Sequence, residues 1–268
     1  MSFPTLFVFC RDEACLIRRN SITPEQGVKS NMDLTAEQRL SDSPFVEQVW
    51  RNRSDEAGAF ISMAFTHWQL VVTRIQGQTL ITVRGPETKA SPAFAPAGAE
   101  FVGIMFKFGT FMPHLPVKSL VDTAINLPDA PNKSFWLHSS PWEAPTFENA
   151  DTFIERLVRA GMLVREPMVE AALHGRVNDL SQRSAQRRFL HATGLTQTTT
   201  RQVERARKAT ALLKQGTSIL DTVFKAGYFD QPHLTRSLKQ YIGQTPAQIM
   251  DEGRQERLSL LYNTTLFE

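Results

Sequence analysis

Proline is the residue that most constrains the fold of this chain, because its distribution along the sequence is uneven. Twelve of the fifteen prolines lie before residue 146, several of them in close pairs such as Pro92/Pro96 and Pro128/Pro131. Proline lacks a backbone N–H and interrupts helices, so this density excludes long helices and is typical of loops between short strands. The sequence therefore predicts two structurally different halves.

Strand-like runs lie between these prolines. Residues 70–75 (LVVTRI) and 79–84 (TLITVR) flank Gln76-Gly77-Gln78 and predict a hairpin, and residues 101–108 (FVGIMFKF) predict a further strand. We therefore expect an antiparallel β-rich domain over residues 45–148, a small cupin-like barrel or sandwich. Residues 1–44 carry little pattern and are interpreted as an N-terminal extension.

After Asn149 the pattern changes to short helices with polar starts and glycine stops. The longest predicted helix spans residues 199–214, and the final residues, 251–268, form a tail. The sequence thus predicts an α+β multidomain chain whose second domain, residues 151–250, is all-α with seven helices. The residues that begin or cap the other six helices are Asp151, Pro167, Ser181, Ser218, Asp230 and Pro246.

The charge distribution is also uneven. The net charge is +3, but residues 151–250 hold 15 Lys/Arg against 8 Asp/Glu, whereas the remainder holds 15 against 19. A basic second half favours a polyanion as partner, and a solvated basic surface is the alternative. The cations of the longest helix are interpreted as a mainly solvated face; they are Arg201, Arg205, Arg207 and Lys208.

Several features indicate a cytoplasmic protein. The two cysteines, Cys10 and Cys15, support neither a disulfide framework nor a four-cysteine zinc site. No apolar run reaches the roughly 18–20 residues needed to span a membrane, so no membrane partner is expected. The first residues lack the basic region and the cleavage site of a signal peptide.

The segment 219–241 predicts a helix-turn-helix. A short helix (219–226) is followed by Gly227 and by a second helix that Asp230 caps. In this motif the second helix enters the DNA major groove, where hydrogen-bonding side chains meet base edges. Leu234, Leu238 and Tyr241 lie on one face of that helix and are expected in the core, while Gln231, Thr235, Arg236 and Lys239 point elsewhere.

A second candidate recognition helix lies upstream, at about residues 181–190. Ala185, Phe189 and Leu190 are available to the core, which leaves Arg183, Gln186 and Arg187 facing outward. Arginine reads guanine and glutamine reads adenine in bidentate fashion. Two such units joined by one helix predict insertion into successive major-groove segments about 34 Å apart.

These residues resemble the DNA-binding domain of AraC/XylS-family transcription regulators over residues 151–250. The matching runs include Gln186-Arg187-Arg188-Phe189, Thr193-Gly194-Leu195-Thr196, Ala226-Gly227-Tyr228-x-Asp230, His233-Leu234-x-Arg236-x-Leu238-Lys239 and Gly243-x-Thr245-Pro246. The resemblance implies a sequence-specific regulator of transcription, with double-stranded DNA as partner. The implied DNA-contacting residues are Arg183, Gln186, Arg187, Gln231, His233, Thr235, Arg236 and Lys239.

The resemblance carries further expectations for the first domain. In the family a variable β domain often senses a small-molecule effector or mediates homodimerisation, and an activator also contacts RNA polymerase. Two departures stand out. Four extra residues, 176–179, widen the first turn, and Thr222 and Val223 replace the aliphatic residue and the alanine usual in the second unit.

No catalytic or cofactor motif is found in the sequence. His67, His114 and His138 are isolated and are interpreted as structural, and no phosphate loop, nucleophile elbow or cysteine–histidine pair is present. We therefore expect no enzyme activity, no cofactor and no metal. The alternatives are an enzyme in the first domain that the helical half localises, and a non-specific architectural DNA-binding protein.

Overall fold

The computed structural model describes residues 37–131, 134–173 and 181–251, and the structural statements below concern these residues. They form a strand-rich half followed by a helical half, which confirms the architecture expected from the sequence. Both cysteines, the four extra residues at 176–179 and nearly all of the tail lie outside the described residues.

The main feature of the first half is a six-stranded antiparallel sheet. Its strand order is β1-β2-β7-β4-β5-β9, and three smaller sheets are β10-β11-β12, β3-β6 and β8-β13. The strands are β1 (Glu37–Leu40), β2 (Val46–Ser54), β3 (Gly58–Ser62), β4 (Gln69–Ile75), β5 (Gln78–Arg84), β6 (Ser91–Ala95), β7 (Ala99–Phe106), β8 (Thr110–Phe111), β9 (Ala124–Asn126), β10 (Asp129–Ala130), β11 (Ser134–Leu137), β12 (Ser140–Glu143) and β13 (Val164–Arg165).

The hairpin predicted around Gly77 is present. Strands β4 and β5 pair in register from Gln69↔Arg84 to Ile75↔Gln78. Both turn residues have positive φ, 49° at Gln76 and 76° at Gly77, as a tight two-residue hairpin turn requires. The strand predicted at 101–108 is β7, which lies between β2 and β4.

The central strand β7 carries a close approach between backbone and side chain. A Cβ added at Gly103 would lie 2.0 Å from Cε2 of Trp50 on the neighbouring strand, so only glycine fits there. On another part of the sheet, Trp68 stacks on Phe106 with ring centroids 3.8 Å apart. Aromatic rings therefore fill much of the core of the strand-rich half.

The edge strand β1 corrects the sequence interpretation. Residues 37–40 were assigned to the N-terminal extension, but they pair with β2. Arg39 of β1 also donates to Asp151 at 2.6 Å, and Ser41 donates to the same carboxylate at 2.5 Å. Asp151 was expected to cap the first helix, but its carboxylate binds the strand-rich half and lies within the first turn.

Seven α-helices are described, as predicted. Four of them begin with the expected side-chain caps or prolines: Ser181, Ser218 and Asp230 each accept a hydrogen bond from the N–H three residues on, and Pro246 opens the last helix. No described helix combines the length and the apolar character needed to cross a membrane. The helices are α1 (Ala150–Arg159), α2 (Met168–Leu173), α3 (Gln182–Thr193), α4 (Gln197–Lys214), α5 (Ile219–Lys225), α6 (Gln231–Tyr241) and α7 (Pro246–Met250).

Candidate nucleic-acid interface

The first candidate unit presents helix α3. Ser181 accepts a hydrogen bond from the N–H of Ser184 at 3.3 Å, and Gly194 ends the helix with φ 72°. Ala185 and Phe189 are buried on the inner face. The outer face carries three exposed side chains that the sequence predicted as base-reading residues, Arg183, Gln186 and Arg187.

The second candidate unit consists of α5, a turn and α6. Gly227 in the turn has φ 70°, a left-handed conformation that favours glycine. The carboxylate of Asp230 then accepts a hydrogen bond from the N–H of His233 at 2.7 Å and caps α6. Thr222, at one of the two departures from the family pattern, is fully buried in α5, and Val223 is half-buried.

Helix α6 has one buried and one open face. Leu234, Leu238 and Tyr241 are buried, as their spacing predicted. Gln231, Pro232, Arg236 and Lys239 are exposed, and Thr235 and His233 are half-buried. The His233 ring meets Tyr228 edge-on, with centroids 5.1 Å apart, so packing holds this side chain.

Helix α4 joins the two units. Its 18 residues correspond to a length of about 27 Å. Arg205 lies 4.4 Å from the centroid of the Tyr228 ring, and Tyr241 donates to Gln202 at 3.0 Å. These contacts fix α4 against the second unit, so the distance between the units depends on a single continuous helix and on what packs against it.

The cations of α4 do not form one solvated face. Arg201 and Lys208 are exposed, but Arg207 is buried, and this corrects the sequence interpretation. The Arg207 Nε lies 3.8 Å from a carboxylate oxygen of Glu204, and its guanidinium lies 4.9 Å from the Phe65 ring centroid. The physical reason is that this face of α4 packs against the strand-rich half.

A buried polar cluster therefore lies where the two halves meet. Thr66 donates to Glu204 at 2.6 Å, and both residues are buried. Burial raises the pKa of the Glu204 carboxyl, while the Arg207 charge and the Thr66 hydrogen bond act in the opposite direction. Sequence reasoning missed this cluster; the spacing of Thr200, Val203, Glu204 and Arg207 on one face of α4 is the signal that could have found it.

The strand-rich half contacts both candidate units. Phe108 lies 6.5 Å from Phe189 of the first unit, measured between ring centroids. At the second unit, the backbone N–H groups of Ala64 and Ala90 donate to the carbonyls of Tyr241 and Gln240, at 2.7 and 2.9 Å. The C-terminal end of α6 is thus capped by two loops of the strand-rich half.

Two of the three histidines of the strand-rich half lie together in the fold, although they are isolated in the sequence. His114 and His138 lie together, with ring centroids 4.5 Å apart. His67 is buried beside Phe108, with centroids 4.4 Å apart. Within the described ranges, no group of three or more His, Cys, Asp or Glu residues could hold a metal ion.

A pH dependence follows from His67. Burial, together with the Arg207 charge, lowers the pKa of His67 to about 3 from 6.5, so the folded protein holds the ring neutral. As the pH falls, His67 is protonated in the unfolded chain before it is protonated in the folded protein. The contribution of the neutral ring to stability is therefore present above pH 6.5 and is lost as the pH falls towards 3. We expect the free energy of unfolding to fall by about 2 kcal/mol from pH 7 to pH 5 because of this residue.

The variant His67→Phe keeps an aromatic ring and removes the titration. Urea unfolding at pH 7 and pH 5 should show a larger acid loss in the unmodified protein than in this variant, by about 2 kcal/mol. Equal losses in the two proteins would contradict the assignment.

Comparison with known proteins agrees with this geometry. Residues 176–252 match the family model of the helix-turn-helix domain, in its AraC-type form. The matched segment includes helices α3 to α7. The match identifies this segment as an AraC-type helix-turn-helix domain, which is consistent with an AraC/XylS-family regulator and supports a DNA-binding transcription regulator. No curated protein and no solved structure matches the chain.

Proposed function

We propose that this protein is a sequence-specific transcription regulator in which α3 and α6 read bases in successive major-groove segments. The observation that carries the proposal is the arrangement of α3 and α6. Each helix buries an apolar face, and each turns Arg and Gln side chains to solvent: Gln186 and Arg187 on α3, Gln231 and Arg236 on α6. This is the chemistry that bidentate recognition of guanine and adenine requires.

The remaining predicted contacts have different chemistry. Arg183 and Lys239 are exposed cations beside the base-reading side chains, and they suit either a base edge or a phosphate. Thr235 and His233 are half-buried, and we assign them contacts at the margin of the groove. Together with the four Arg and Gln side chains above, they complete a surface on which phosphate contacts position the protein and base contacts specify the site.

We assign the strand-rich half the role of a sensor for a small-molecule effector. Support comes from its contacts with the helical half. It touches the first unit at Phe189, α4 at Glu204 and the second unit at the carbonyls of Gln240 and Tyr241. A ligand that alters this half therefore has a direct physical route to both base-reading helices.

The test is selection of bound duplexes from a randomised library with the full chain at defined salt. Two enriched elements about ten base pairs apart are expected if both units read bases. Binding that depends on salt but enriches no sequence would overturn the proposal and indicate an architectural protein. Turnover of a substrate by the chain would point instead to an enzyme in the strand-rich half.

Substitution of single arginines gives a sharper prediction. Arg187→Ala and Arg236→Ala should each cost about 1–3 kcal/mol at one base position and relax the preference there, since each removes one bidentate contact. Titration of the selected duplex and of its single-base variants measures both effects. Arg159→Ala is the matched control, because Arg159 is an exposed helical arginine on α1 and should leave the affinity unchanged. Unchanged affinity in all three variants would show that the docking geometry is wrong.

A further inference from the structure

An aromatic side chain stands free at the entrance to the second recognition helix. Phe229, in the turn between α5 and α6, is 91% exposed, the largest exposure among the large hydrophobic side chains that the structure describes. Burial of apolar surface is favourable, so a side chain of this size in water is poised for a contact made with another molecule.

The backbone around Phe229 is fixed on both sides. Tyr228 is buried, its hydroxyl lies 2.9 Å from Ser237 Oγ, and the Arg205 guanidinium covers its ring. Asp230 is held as the cap of α6 in an extended conformation, with φ −153° and ψ 172°. Tyr228 is buried and the next side chain, Phe229, is exposed, so the two anchored neighbours hold Phe229 at the surface. The presentation of the ring thus belongs to the fold.

The surroundings of Phe229 suit DNA. Gln231, two residues on, is exposed in the first turn of α6, the part of a recognition helix that meets base edges. Between Lys225 and Arg236 the only carboxylate is that of Asp230, and one of its oxygens is engaged in the cap. This stretch of the chain therefore contributes no fully exposed acidic side chain that would oppose the approach of a polyanion.

We propose that Phe229 is a specificity-determining residue that recognises the C5-methyl group of a thymine in the major groove. The thymine methyl is the apolar group that base edges present there, and aromatic side chains are among its protein contacts. This inference rests on the proposed function, and it adds apolar recognition to the hydrogen-bonding recognition by α6. A protein partner for the same ring is the alternative that the test separates.

The experiment uses the duplex selected by the full chain. Each thymine is replaced singly by deoxyuridine, which removes only the methyl group, and affinities are measured for the unmodified protein and for Phe229→Ala. We expect one thymine whose replacement weakens the unmodified protein about three- to fivefold, the scale of one buried methyl-sized group. Phe229→Ala should bind the thymine and deoxyuridine duplexes equally.

Phe224→Ala is the matched control, because Phe224 is a phenylalanine of similar exposure, 87%, on the body of α5. This variant should keep the full thymine preference. A preference that persists in Phe229→Ala, or that is absent from the unmodified protein, overturns the inference. If Phe229→Ala binds DNA normally but loses association with RNA polymerase, the ring contacts protein and the inference is likewise overturned.

The same data separate this inference from the proposed function. If binding to the selected sequence requires Arg236 but does not depend on Phe229, only the thymine contact is refuted. If the unmodified protein enriches no sequence, both the proposed function and the thymine contact are refuted. Thermal unfolding of Phe229→Ala serves as the folding check, and we expect no loss because the ring is exposed.

Discussion

Replacement of Leu234 by alanine is expected to lower the free energy of unfolding by about 2–5 kcal/mol, the range for large-to-small changes in a closed core. Leu234 is fully buried on the inner face of α6. It belongs to a cluster that contains Met63 and Phe65 of the strand-rich half as well as Val203 of α4. A cavity at this point therefore weakens both the helical core and its contact with the other half.

Urea unfolding at pH 7 measures this loss, and Lys239→Ala on the exposed face of the same helix is the control. Alanine is a strong helix former, so the control should change stability by less than about 0.5 kcal/mol. A Leu234→Ala protein as stable as the control would show that Leu234 does not pack in this cluster as described.

The second large effect is expected at the buried pair of α4. Arg207→Met removes the positive charge beside Glu204, and we expect a loss of about 3–5 kcal/mol at pH 7, since a buried carboxylate then lacks its charged partner. Both side chains are 7% exposed, so water cannot replace that partner. Lys208→Met, at the next position and exposed, should have little effect.

The pH dependence of this loss has a definite sign. Burial already raises the pKa of Glu204, and removal of Arg207 raises it further, because the opposing charge is gone. A carboxyl with a raised pKa favours the folded state at low pH, so the destabilisation should shrink as the pH falls towards 4.5. The double variant Glu204→Gln/Arg207→Met should recover most of the loss. A loss that is constant with pH would refute the role of the charge.

Most of the helical half could be predicted from short-range sequence signals. Ser181, Ser218 and Asp230 cap their helices as predicted, because a cap depends on residues three positions apart in the sequence. The same holds for the hairpin at Gln76-Gly77, where the turn conformation is decided by two residues. Such features need no knowledge of the rest of the chain.

Long-range pairing was not visible in the sequence. Asp151 is of a residue type that commonly caps helices, but its carboxylate binds Arg39, which lies 112 positions away in the sequence. Arg207 is of a residue type that is usually exposed, but it is buried where α4 packs against the strand-rich half. The exposure of the Arg and Gln side chains on α3 and α6 was predictable because it follows from the buried face of a single helix, whereas the contacts between the halves follow from tertiary packing.

The two hydrogen bonds at the C-terminal end of α6 couple the direction of that helix to two loops of the strand-rich half. Its C-terminal carbonyls accept hydrogen bonds from the amides of Ala64 and Ala90, and its N-terminal end carries the exposed side chain of Gln231. Eleven residues make a helix about 16 Å long, so a tilt of about 10° about its C-terminal end displaces its N-terminal end by about 3 Å. That displacement is close to the 3.4 Å step between base pairs. We therefore expect that a rearrangement of these two loops which tilts α6 together with the core packed on it would displace Gln231 by about one base-pair step.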